Sequence, residues 1–198
     1  SLSTYKELED VLPGDIYTDV RLYCIGGRHR NKTLASTEFY SFRSKSWHDG
    51  PFLLENRGSH GSVSFDDGSI VVMSGGGLHS NLVTCEVLSF EGKEFQTLSA
   101  EMKYQRHALG VSRCGDLIFT VGGWEDGRQC SRDVEIFTRN NKVWEALPQM
   151  QLGRRLCGCV AVPGFGLGEF KLYVFGGQID NSNHLGFAEE EKSNGWVT

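Results

Sequence analysis

Arg57, Arg106 and Arg154 recur at steps of 49 and 48 residues, each with a glycine four positions on (Gly61, Gly110, Gly158). A guanidinium offers five donors in a planar fork, so three of them gathered at one place suit the carboxylates and carbonyls of a partner. The same fork can bond neighbouring backbone carbonyls or pair with a glutamate of its own chain, and spacing alone leaves both roles open. Ser59 and His107 stand beside these arginines. Other chemistry-bearing sets are sparser. Cys157-Gly158-Cys159 puts two thiols on one face of a strand, where small residues suit a crowded core. Tyr104, His60, His79 and His107 are residue types found on copper, but no spacing singles them out. No Ser-His-Asp order, paired carboxylates or phosphate loop stands out. The residues therefore predict no enzyme, no metal and no cofactor.

The elements that would position the arginines repeat with them. Apolar runs end on glycine pairs at "RLYCIGG", "IVVMSGG", "LIFTVGG" and "KLYVFGG". These pairs are Gly26-Gly27, Gly75-Gly76, Gly122-Gly123 and Gly176-Gly177, giving steps of 49, 47 and 54 between first glycines. Glu38, Glu86 and Glu135 each precede an apolar pair, and nine residues after each comes a large aromatic: Trp47, Phe95, Trp144. Several markers in fixed order at one period make this a repeat protein. Each unit reads as four short strands, in the third roughly 106–113, 116–122, 132–138 and 143–148. Turns such as "RCGDLI" and "RNNK" join them, with no run of helical period between. Four antiparallel strands in about 48 residues predict a propeller blade. The glycine pairs fit where blades crowd together and where the chain must take a positive φ to turn outward.

With its double glycines, its Glu-then-apolar strands, its tryptophans and steps such as "LPQMQLGRR", the chain resembles the kelch repeats over about residues 20 to 177. The resemblance implies an all-β, kelch-type propeller of four-stranded blades. About four are present, so the chain is expected to be either part of a larger ring or a shortened closed one. The units are expected at about 15–56, 57–105, 106–153 and 154–198. The last looks degenerate, because Phe187 stands where its glutamate should be; Tyr5 and Leu8 echo an outer strand that could complete it.

Strand direction brings the Arg-x-x-x-Gly segments and the post-glycine loops to one rim. Arg57, Arg106 and Arg154 are expected there beside Arg28, Trp124 and Gln178, which directly follow glycine pairs, and His29, Arg30 and Lys32 add charge. An exposed tryptophan suits an anchoring contact. In the kelch-like adaptors of cullin ubiquitin ligases this rim captures short, often acidic peptides. The resemblance thus implies a protein-binding module whose contacts are Arg57, Arg106 and Arg154, with Ser59 and His107 beside them. An adaptor role would belong to a longer protein. Some kelch-type propellers are instead copper-radical oxidases or sialic-acid epimerases, so a sugar-binding or catalytic propeller is the alternative reading.

Bulk properties narrow the partners. Formal net charge is −5, which argues against nucleic-acid binding through global charge, and no run of 18 apolar residues suggests a membrane span. Six irregularly spaced cysteines with no C-x-x-C read as free thiols of a reducing compartment, and a cytoplasmic location is expected. Lys45, Lys93 and Lys142 mark the turn into each outer strand, where lysine discourages edge-to-edge pairing.

Overall fold

The computed structural model describes residues 20–90, 92–125, 129–164, 169–180, 183–192 and 195–197, and all regular structure among them is strand. Tyr5 and Leu8 lie outside the described residues. The first unit comprises β1 (Arg21–Ile25), a short hairpin of β2 (Arg28–His29) and β3 (Lys32–Thr33), then β4 (Thr37–Ser41) and β5 (Ser46–Asp49). The second holds β6 (Gly61–Ser64), β7 (Ile70–Met73), β8 (Cys85–Leu88) and β9 (Gln96–Leu98). The third holds β10 (Arg106–His107), β11 (Gly110–Cys114), β12 (Leu117–Val121), β13 (Trp124–Glu125), β14 (Val134–Thr138) and β15 (Val143–Leu147). The fourth holds β16 (Gly158–Pro163), β17 (Phe170–Phe175), β18 (Ala188–Lys192) and β19 (Gly195–Val197).

Units two to four each form a four-stranded antiparallel sheet in sequence order, while the described part of the first is three-stranded, β1-β4-β5. The sheets stack side by side as an arc of a propeller, joined by three apolar cores. Leu53, Ile70, Val72, Leu88 and Phe95 meet Tyr23 and Ile25 at the first joint. Val71, Met73 and Met102 meet Ile118 and Phe137 at the second, and Phe119, Val121 and Met150 meet Leu172, Val174 and Trp196 at the third. This stacking explains the unbroken apolar runs. An internal blade is covered on both faces, so all four residues of β7 are buried. β1, by contrast, alternates half-buried with exposed residues. Phe95 is 2% exposed, but Trp47, at the same place in the first unit, is 52% exposed.

Two expectations need correction. In the second unit the pair that turns the chain outward is Ser74-Gly75, not Gly75-Gly76. Ser74 and Gly75 have φ values of 59° and 99°, matching 59° and 110° at Gly122 and Gly123. A Cβ at Gly122 would stand 2.1 Å from the carbonyl oxygen of Arg154. Ser74 fits because its hydroxyl donates to the equivalent carbonyl, that of Arg106. The corrected spacing, 26 to 74 to 122, is an even 48 residues. The fourth unit, moreover, is a full four-stranded sheet, and Glu189 on β18 takes the glutamate position two residues past Phe187.

Candidate functional site

The three periodic arginines are in the interior. The side chains of Arg57, Arg106 and Arg154 are 0% exposed, and each is engaged by its own unit. Arg106 is typical: Nη1 donates to the carbonyls of Gly122 and Asp133, both at 2.6 Å. Its Nη2 donates to Thr120 Oγ1 at 2.9 Å and to Glu135 Oε2 at 2.8 Å. Arg57 likewise bonds the carbonyls of Ser74 (3.0 Å) and Thr84 (2.9 Å) and the Glu86 carboxylate (2.8 Å). Arg154 bonds the Gly176 carbonyl (2.8 Å) and Glu189. The glutamates also accept backbone N–H groups three residues before each arginine, from Leu54, Lys103 and Gln151.

The expectation that these arginines present their forks to a partner is therefore corrected. Their backbones do run along the rim, since Arg106 and His107 pair with Glu125 and Trp124. Their side chains turn inward, where an unpaired guanidinium would be costly and a glutamate compensates it. Burial lowers the Arg106 pKa, and the Glu135 carboxylate opposes that shift.

Successive blades are latched at the same end of the arc. The N–H groups of Gly27, Gly75 and Gly123 donate to the carbonyls of Arg57, Arg106 and Arg154 in the next blade, at 2.7, 3.1 and 2.8 Å. Ala108 N–H donates to Ser59, and Leu156 N–H to Ala108. Each of Ser59, Ala108 and Leu156 has a φ of 52–56°, so the segment leaving every arginine bends in the same unusual way. Burial and the Arg57 charge lower the His60 pKa to about 4, leaving its ring neutral at neutral pH.

What remains accessible on the rim comes from the post-glycine loops and from the segments leaving the arginines. Arg28, Ser59, His29, Arg30 and Lys32 are exposed, whereas His107, Trp124 and Gln178 are half-buried. Trp124 lies under the Arg155 guanidinium, 4.4 Å from its ring centre, and its carbonyl accepts from buried Asn81. His107 bonds the same Asn81 at 2.8 Å, and Gln178 pairs with His184 at 2.8 Å. Sequence reading singled out Arg28, Trp124 and Gln178 through the glycine pairs, but missed Asn81 and Arg155. Arg155 holds the place after a periodic arginine that Gly58 and His107 hold in the other units, so its residue type does not repeat there.

No group of three or more His, Cys, Asp or Glu among the described residues is placed to hold a metal ion. The described cysteines are unpaired, and burial pushes the Cys85 and Cys159 thiols up to about 12 and raises Cys157. No helix is long and apolar enough to cross a membrane.

The repeated Arg–Glu pocket and paired left-handed turns stand in a chain in which the Kelch motif model matches residues 105–151, the span from the second buried-arginine segment to the next. Over those residues the chain carries a Kelch motif. Kelch-like protein 38 of Rattus norvegicus is 24% identical over 169 residues, covering 84% of this chain. The chain spans 28% of that relative's length. The motif and this likeness together support a protein-interaction module.

Proposed function

We propose that this kelch module captures an acidic or polar segment of a protein partner on the rim, chiefly through the hairpin β2–β3. The observation that carries this reading is local charge. Arg28, Arg30 and Lys32 are all exposed within five residues, and no acidic residue occurs from Gly27 to Thr37. On a chain of net charge −5, such a cluster makes a focused positive patch. The Arg28 stem rests on Gly58, where an added Cβ would meet its Cγ at 2.7 Å, and Gly58 is followed directly by exposed Ser59. Exposed Leu78 and Leu156 and the edge of Trp124 offer apolar contacts along the same rim. In a longer adaptor of the cullin-ligase kind, this surface would be the part that selects the substrate.

The proposal is tested by placing a photo-crosslinker at Ser59, or at Phe90 on the β8–β9 turn, and adding a fluorescent peptide of alternating glutamate and serine. Labelling at Ser59 and not at Phe90 is expected. Equal labelling, or labelling at Phe90 alone, overturns the rim assignment.

A further inference from the structure

The three segments that lead into the buried arginines are built alike, and the first departs from the others at two places. Four residues before each arginine stands an apolar residue of the blade joint: Leu53, Met102 and Met150, all buried. The residues on either side of it are exposed in every segment. In two segments they are polar, Glu101 with Lys103 and Gln149 with Gln151. In the first they are Phe52 and Leu54, 71% and 57% exposed. The fold therefore accepts polar side chains at both places and gains nothing from apolar ones there. Single exposed apolar residues are ordinary, but two large ones flanking one buried residue form a patch.

This segment lies against the basic hairpin. Leu53 N–H donates to the Ala35 carbonyl at 2.8 Å, and Arg57 N–H to the Leu34 carbonyl at 2.9 Å. Between them, Asn56 Nδ2 donates to the Thr33 carbonyl at 3.1 Å. Thr33 ends β3, where it pairs with Arg28 and follows Lys32. A partner chain crossing from these charges to Leu54 and Phe52 needs only about three to five extended residues. Glu55 lies beside the patch, but its carboxylate is 3.1 Å from the Arg57 guanidinium and accepts from the Thr84 hydroxyl. Its charge is compensated within the blade, so it does not turn an acidic chain away.

We propose that Phe52 and Leu54 seat a large apolar side chain of the partner, so that the segment recognised is acidic at one end and carries leucine or phenylalanine at the other. This rests on the rim reading above and adds its selectivity. Arg28, Arg30 and Lys32 attract the acidic part, a long-ranged effect that salt screens and that any acidic chain would feel. Covering the apolar pair adds affinity that salt does not screen, and only a chain with the right side chain gains it. Acidic segments without the apolar residue are held less tightly.

The test titrates three fluorescent peptides by anisotropy: alternating glutamate and serine alone, and the same peptide with a leucine–phenylalanine pair joined through two glycines at either end. The proteins are wild type, the Arg28/Arg30/Lys32→Ser variant and a Phe52→Gln/Leu54→Gln variant. The last copies Gln149 and Gln151, so an unchanged melting temperature is expected. One of the two extended peptides should bind wild type about tenfold more tightly than the plain one. That gain should disappear with Phe52→Gln/Leu54→Gln. If the plain peptide binds and neither extended peptide binds more tightly, this inference falls and the rim reading stands. A gain that survives Phe52→Gln/Leu54→Gln overturns it in the same way. If the extended peptide binds the Arg28/Arg30/Lys32→Ser variant as tightly as wild type, or if no peptide binds at all, both readings fall.

Discussion

Arg106 and Glu135 are paired at 2.8 Å with neither side chain exposed, and the same pair recurs as Arg57–Glu86 and Arg154–Glu189. Each guanidinium ties the start of one inner strand to the third strand of its blade and to the turn between. The residues that looked most like a recognition triad are internal fasteners.

Breaking one fastener should therefore unfold rather than merely weaken binding. Glu135→Gln removes the charge opposite Arg106 and should cost about 3–5 kcal/mol, the range for leaving one partner of a buried pair uncompensated. Denaturant unfolding followed by circular dichroism measures this. Arg28→Ser, on the surface, should change stability by less than about 0.5 kcal/mol in the same assay.

The left-handed turn residues should respond unequally to substitution. Gly122→Ala adds a Cβ 2.1 Å from a backbone oxygen at a φ of 59°, and should destabilise by at least about 2 kcal/mol. Ser74→Gly relieves the backbone but loses the hydroxyl bond to Arg106, so a change of at most about 1 kcal/mol is expected. Thermal melts of the two variants distinguish these outcomes.

Acid should loosen the arc through His60. Its pKa falls from 6.5 to about 4, because burial and the Arg57 charge disfavour the protonated ring. The unfolded chain thus binds the proton first. The stability this group contributes is complete above about pH 6.5 and is lost as pH falls toward about 4. Melting temperatures between pH 7 and pH 4 should drop, and His60→Gln should flatten part of that drop.

Thiol chemistry should separate the cysteines by burial. Cys24 is exposed and should react with an aromatic disulfide reagent in the folded protein. Buried Cys85, pushed up to about 12, should react only after denaturant is added.

Much of the fold was legible because glycines, glutamates and aromatics repeat at one spacing, and that spacing counts blades. Three details were not. The run Ser74-Gly75-Gly76-Gly77 offers two candidate pairs, and only backbone φ shows that a serine can hold the left-handed place when its hydroxyl has an acceptor. Glu189 was hidden because counting nine residues back from Trp196 reaches Phe187. Counting forward from the glycine pair reaches it, since 135 − 122 and 189 − 176 are both 13. The direction of the arginine side chains was also beyond the pattern. Spacing puts their backbones on the rim, but the buried carboxylates decide where the guanidiniums go.

The most direct measurement is a titration of the glutamate–serine peptide, by anisotropy, against wild type and an Arg28/Arg30/Lys32→Ser variant with unchanged melting temperature. The account predicts salt-sensitive binding to wild type that is lost, by about tenfold or more, in the variant. Equal binding to both folded proteins would contradict it.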